Sequence, residues 1–167
     1  QARGEYLLFL NSGDFLVNNE VFRNVFDNVS IPLKDILAGD CDISEKGKIV
    51  FKVIPPDEIS LGYFYGSTLP HQSTFIKREL FCRIGLYSEG FIFRSDVDFF
   101  LKVLILNNCS YAHIPVLITN YNLEGISARS ENKIMLECEL NAVLMKNFSP
   151  RILSDYKTWF EEKEDLK

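Results

Sequence analysis

The sequence predicts an α/β domain, a mixed and mostly parallel sheet flanked by helices. Five consecutive apolar residues, Tyr6 to Leu10, lie between Gly4 and a polar turn, Asn11-Ser12-Gly13-Asp14. A short apolar run bounded by turn residues reads as a strand buried on both faces, the kind that parallel sheets contain. Further along, strand-like and helix-like segments follow one another as α/β folds require. At 167 residues the chain is one domain by length and can bury a real core.

The elements follow in order. After Asp14, Asn18-Asn19 can cap a helix to about Val29, with Val21, Val25 and Phe26 on one face and Pro32 beyond its end. Asp35 to Ser44 reads as a strand, Glu45-Lys46-Gly47-Lys48 as a turn and Ile49 to Ile54 as the returning strand. Ser60 to Pro70, rich in glycine, proline and aromatic residues, reads as a loop walling a cleft. Ser73 to Lys77 is a short strand, and Arg78 to Ile84 a short helix stopped by Gly85. Ser95 is an N-cap for a helix to about Asn107, with Val97, Phe100, Leu101, Leu104 and Ile105 at helical spacing. Cys109 to Tyr121 is strand-like around Pro115. A long helix, about Ser130 to Phe148, buries Leu136, Leu140, Val143 and Leu144, and a charged helix follows Pro150. The expected division is residues 1–148 as the main domain and 149–167 as a helical tail. Because the chain enters its first buried strand at once, it reads as the back part of a larger α/β domain.

Composition narrows the partners. A net charge of −5 and a pI near 5.1 argue against a sequence-independent nucleic-acid binder, which needs a basic stripe. No apolar run approaches the roughly 20 residues of a membrane span, and no signal peptide opens the chain. The four cysteines, Cys41, Cys82, Cys109 and Cys138, contain no C-x-x-C pair, which fits reduced thiols in a cytoplasmic protein.

Three separated clusters hold the chemically useful side chains: Asn11-Ser12-Gly13-Asp14, Leu69 to Lys77 with His71, and Phe93 to Phe99 with Asp96 and Asp98. The small-residue turn Gly125-Ile126-Ser127 follows them. Ligands of open α/β sheets bind beyond the carboxyl ends of strands, where Asp14 is expected. Asn-Ser-Gly-Asp is also sound turn chemistry by itself. Asp96 in the first turn of a helix is held ionised by the macrodipole, and an aspartate there also stabilises a helix without any chemistry. Asp98 can serve as a capping acceptor. His71 lies in a polar loop, whereas His113 sits in an alternating strand and reads as structural. Arg94 and Lys77 suit phosphate oxygens or plain solvent, and Phe91, Phe93 and Tyr87 suit an apolar platform or ordinary core packing.

In order and spacing these segments resemble the second half of a family-2 glycosyltransferase of the GT-A fold. The family strand G-x-Y-hydrophobic-F-L-D-x-D-D is matched by Gly4 to Asp14, H-Q-S-x-F-hydrophobic-K-R by His71 to Arg78, and G-x-Y-x-E-x-F by Gly85, Tyr87, Glu89 and Phe91. Ser95-Asp96 stands where the family has Glu-Asp at a helix start. The likeness runs from about residue 3 to about residue 148 and lacks the N-terminal nucleotide-binding units.

The resemblance implies an inverting transferase that moves a sugar from a nucleotide-diphosphate donor to a saccharide or lipid-linked acceptor. It implies Asp96 as catalytic base, and Asn11, Asp14 and His71 as donor or cofactor contacts. Asp14 would be the ligand of a divalent cation, Mg²⁺ or Mn²⁺. Asn11 and Gly13 stand where the family usually has aspartates, so the metal motif is degenerate. The expected location is cytoplasmic, at the inner face of the membrane if the acceptor is lipid-linked, with peripheral membrane association. Exposed sheet edges favour a homo-oligomer, and a chain without the missing units is expected to turn over little. A non-catalytic carbohydrate- or partner-binding domain is the alternative. An unrelated hydrolase or phosphoryl-transfer enzyme is disfavoured, because there is no G-x-S-x-G, P-loop or H-E-x-x-H.

Overall fold

The computed structural model describes residues 2–27, 33–125 and 129–164. The strands are β1 (Tyr6–Leu7), β2 (Phe15–Leu16), β3 (Ile36–Glu45), β4 (Lys48–Val53), β5 (Thr74–Lys77) and β6 (Tyr111–Asn122). They form one sheet in the order β1-β5-β3-β6-β2, with β4 beside β3. The chain is therefore mixed α/β.

The expectation of a mostly parallel sheet is corrected. Among the described strands only β3 and β6 pair in parallel; β1 with β5, β2 with β6, and β3 with both β4 and β5 are antiparallel. Connection length decides this. β3 returns into β4 through Lys46 and Gly47, whose φ angles of 49° and 74° make the tight turn that antiparallel hairpins use. The parallel β3–β6 pair is joined by a long helical crossover, as parallel pairing demands. The apolar run Tyr6 to Leu10 is likewise not a strand buried on both faces. Among the described residues only Tyr6 and Leu7 of this run pair, with β5 alone, and Leu10 is 42% exposed.

The helices are α1 (Val21–Phe26), α2 (Tyr63–Gly66), α3 (Glu79–Arg83), α4 (Ser95–Phe100), α5 (Lys133–Asn147) and α6 (Pro150–Glu164). Alternation along the strands sends neighbouring residues to opposite faces. Ile36, Ala38 and Ile76 join Leu80, Val97, Phe99 and Phe100 in one core cluster, whereas Leu37 and Phe75 join Val21 and Val25 in the other. The predicted α1 face is thus observed, but its expected reach to Val29 and the following Pro32 extend outside the described residues, as does most of Gly125-Ile126-Ser127. Beyond α4 the chain continues as a π-helical stretch, Leu101–Leu106. Within the expected core of α5, Val143 and Leu144 are buried, while Leu136 and Leu140 are only partly covered. Helix α6 adds Leu153 and Tyr156 to the first cluster, Tyr156 stacking on Tyr65.

Strands β3 and β6 shift register beside Gly39, where Ile114 pairs with Gly39 and Leu117 with Asp40. Pro115, which has no N–H to donate, falls in the residues skipped by that shift. A Cβ on Gly39 would overlap Ile118 Cδ1 and lie 2.8 Å from the Val116 carbonyl oxygen. Gly39→Ala is therefore expected to destabilise the protein by about 1–3 kcal/mol, the usual result of overpacking. A denaturant melt showing no loss would contradict the close approach.

Among the described residues no helix is long and apolar enough to cross a membrane. All four cysteines are unpaired thiols.

Candidate functional site

The parallel pair β3–β6 and the antiparallel β5 bring three sequence clusters to one rim of the sheet. The first begins just past β1. Gly13, at φ 98°, lets Asn11-Ser12-Gly13-Asp14 close a turn in which the Asp14 N–H donates to the Asn11 carbonyl at 3.1 Å. Asp14 Oδ2 in turn accepts the Asn11 N–H at 3.2 Å. Burial pushes the Asp14 carboxyl above its ordinary range, opposed by the N–H groups of Asn11 and Asn122 and by His71. The turn chemistry is present, and it presents a carboxylate.

The second cluster precedes β5. His71 sits in a single 3₁₀ turn, His71–Ser73, that buries Gln72 and Ser73 but leaves the imidazole half-buried. Its Nε2 lies 2.9 Å from Asn11 Nδ2, and its Nδ1 lies 3.1 Å from Asp96 Oδ2.

The third cluster is the start of α4. The expected Ser95 cap is not formed: Ser95 is the first helical residue and its side chain makes no capping bond. The loop before it is held from outside, because Glu139 on α5 accepts the N–H groups of Ile92, Phe93 and Arg94 at 2.8, 2.8 and 3.0 Å. Asp96 Oδ1 accepts the Val97 N–H at 2.8 Å, leaving Oδ2 to His71. Asp98 does not cap the turn either. Its side chain is fully buried and accepts from Lys102 Nζ at 2.6 Å, Lys146 Nζ at 3.2 Å and Asn147 Nδ2 at 2.9 Å. Burial raises the Asp98 carboxyl, but those three partners outweigh it and leave it below the usual range. Asp98 is thus a clamp between α4 and α5, and its competition for the interior is why it cannot serve the helix end.

A cavity of about 600 Å³ is lined by Asn11, Asp14, His71 and Asp96 together with Tyr87 and Glu124. A second, of about 460 Å³, adjoins it through Asn11, His71, Phe93, Asp96 and Tyr121, and is walled by Tyr65 and Gly66 at the end of α2, by Ser67 to Pro70 and by Leu136 and Leu140 of α5. Both acids therefore open on one cleft with His71 between them. Arg94 lines the second cavity, while its Nε donates to the Leu136 carbonyl at 3.4 Å. Lys77 belongs elsewhere, at the far end of β5 beside Glu79 and Asp35. His113 lies in β6, as expected, and is held between Asp40 and Asp57.

No family model and no curated protein matches this chain.

The cleft also holds residues that motif spacing did not single out. Tyr121, Asn122 and Glu124 enter because the parallel β3–β6 pair delivers the end of β6 beside Asp14. The Tyr87 hydroxyl is buried with no hydrogen-bond partner among the described residues, while its ring packs against Phe9, Phe81 and Phe99. Burial, with the nearby Asp96 charge, pushes that phenol well up and keeps it a donor. Since an orphaned buried donor carries a desolvation cost, Tyr87→Phe is expected to match or exceed wild-type stability by up to about 1 kcal/mol. A clear loss on thermal melting would reveal a partner in the folded state.

For a divalent cation, the donor set is thin. Among the described residues no group of three or more His, Cys, Asp or Glu side chains is placed to hold a metal. Asp14 is the carboxylate of the Asn11–Asp14 turn, while Asp96 and Glu124 line the same cavity without forming a metal-holding group with it. One carboxylate does not cage an ion, but it fits a Mg²⁺ that arrives on phosphate oxygens, which needs only one or two.

Proposed function

We propose that this chain is the C-terminal portion of an inverting glycosyltransferase, which moves a sugar from a nucleoside diphosphate donor to a saccharide or lipid-linked acceptor. The observation that carries the reading is the opening of Asp14 and Asp96, from distant segments, on a single cleft with His71 between them. The likeness of Gly4–Asp14, His71–Arg78 and Ser95-Asp96 to family-2 glycosyltransferases of the GT-A fold supports the same assignment.

Asp96 acts as general base. The acceptor hydroxyl attacks the anomeric carbon and gives its proton to Asp96, while the bond to the diphosphate breaks and its electron pair leaves with the phosphate oxygen. One displacement inverts the anomeric centre. Asp14 would hold a Mg²⁺ or Mn²⁺ that arrives on the diphosphate, and the bound cation would supply charge neutralisation for the leaving group. Phe93 offers its ring to a sugar face, and the α5 residues Leu136 and Leu140 exclude water from one wall. A lipid-linked acceptor would put the protein at the cytoplasmic face of a membrane, attached peripherally.

The non-catalytic alternative rests on Asn11 and Gly13, which thin the carboxylates of the strand-end turn. Calorimetry of the full-length protein with a nucleoside diphosphate, with and without Mn²⁺, separates the two, followed by mass spectrometry of reactions with a panel of nucleotide sugars. Cation-dependent binding and a glycosylated product are expected. Carbohydrate binding with no nucleotide binding would favour the non-catalytic domain.

A further inference from the structure

The chain has two histidines, and they sit in opposite surroundings. His113 Nε2 faces Asp40 Oδ1 at 2.9 Å and its Nδ1 faces Asp57 Oδ1 at 3.2 Å. Carboxylates only accept, so both of its nitrogens are called on to donate. His71 meets a carboxylate on one side only. Its Nδ1 lies 3.1 Å from Asp96 Oδ2, while its Nε2 lies 2.9 Å from Asn11 Nδ2, an amide nitrogen that can only donate. One proton arrangement satisfies every group: Asn11 donates to a bare Nε2, and the Nδ1–H donates to Asp96.

We infer that Asn11 holds His71 as the neutral Nδ1–H tautomer, and that this ring positions Asp96 without neutralising it. The functional half of the statement rests on the transferase reading; the tautomer does not. With Oδ1 fixed by the Val97 N–H and Oδ2 by His71, the Asp96 carboxylate has one orientation in the cleft. Its remaining lone pairs are the place for an acceptor proton. No proton passes through the imidazole, because the Asn11 amide covers Nε2. His71 is therefore a positioning residue. An aspartate in place of Asn11 would put a carboxylate opposite each nitrogen of His71, the arrangement seen around His113, and would call on both nitrogens to donate. A cationic ring 3.1 Å from Asp96 would then compensate the charge that has to take up the proton.

Nitrogen-15 NMR of the imidazoles in this chain at pH 7 tests the tautomer directly, and His113→Asn assigns the two rings. His71 is expected to carry its proton on Nδ1 alone, and Asn11→Asp to protonate both nitrogens at the same pH. A wild-type ring protonated at Nε2 would overturn the inference, as would a ring that stays neutral in Asn11→Asp. Kinetics of the full-length protein supply the second readout. His71→Asn keeps an amide N–H where Nδ1–H stands and is expected within about fivefold of wild-type kcat. His71→Ala should fall about 10²-fold in kcat with donor KM little changed, the effect of a misplaced catalytic group. Equal losses in both variants would remove the positioning role. A correct tautomer with no transfer for any donor counts against the transferase reading alone; transfer by a protein with an Nε2–H ring counts against this inference alone.

Discussion

Asp96→Asn is expected to lower the transfer rate of the full-length protein about 10²–10⁴-fold, the range a positioned general base contributes. Its folding should hardly change. The asparagine carbonyl can still accept the Val97 N–H that Asp96 Oδ1 accepts now, and the side chain is only part-buried at the helix start. The lost element is the second carboxylate oxygen, which lies 3.1 Å from His71 Nδ1 and, under the proposed mechanism, takes the incoming proton. Donor KM should therefore stay within a few-fold while kcat collapses, the signature of an interaction made in the transition state. A loss below tenfold, measured beside an unchanged thermal melt, would move the base away from Asp96.

Asp98→Ala has the largest expected effect on stability. The side chain is fully buried, with Lys102, Lys146 and Asn147 converging on it. Removing one member of a buried pair costs about 3–5 kcal/mol when the other charge is stranded. Here Lys102 and Lys146 are partly exposed and can rehydrate, which lowers the expectation to about 2–4 kcal/mol. For a chain of this size that is a fall of about 5–15 °C in Tm. The pH dependence follows from the direction of the shift. With its folded-state carboxyl below the usual value, Asp98 stabilises the fold above the unfolded pKa of about 3.9, and the contribution fades as pH falls through the lower folded value. Wild type and variant should therefore converge in stability in strong acid. A constant gap across that range would mean that packing, and not charge, holds α4 against α5.

How far the sequence could be read depended on how local each cause is. The Lys46-Gly47 hairpin, the helix stop at Gly85 and the turn ending in Asp14 are written in a few adjacent residues, and each forms as expected. Strand direction is not local. The apolar run Tyr6–Leu10 suggested burial on both faces, but hydrophobicity alone does not say which strands will lie alongside, and among the described residues only β5 does. The same limit applies to the site. Asp14 and Asp96 stood out because turn and helix-start positions favour aspartate, and His71 because it lies in a polar loop. Glu139, Tyr121 and Glu124 did not, because an acid in mid-helix or at a strand end has no local signature until another element is folded onto it. Asp98 shows the opposite error: its position suggested a cap, and its three partners, two of them from a helix about fifty residues on, drew it inward.

Under the proposed function, one cleft bounded by the acids at either side of His71 would receive the donor diphosphate and the attacking hydroxyl together. Paramagnetic broadening by Mn²⁺ in the presence of a nucleoside diphosphate reads this out residue by residue in the full-length protein. Resonances of Asn11, Asp14, His71 and Asp96 should broaden together, and Asp14→Asn should abolish the effect. Broadening confined to another surface, or unchanged in Asp14→Asn, would contradict the account.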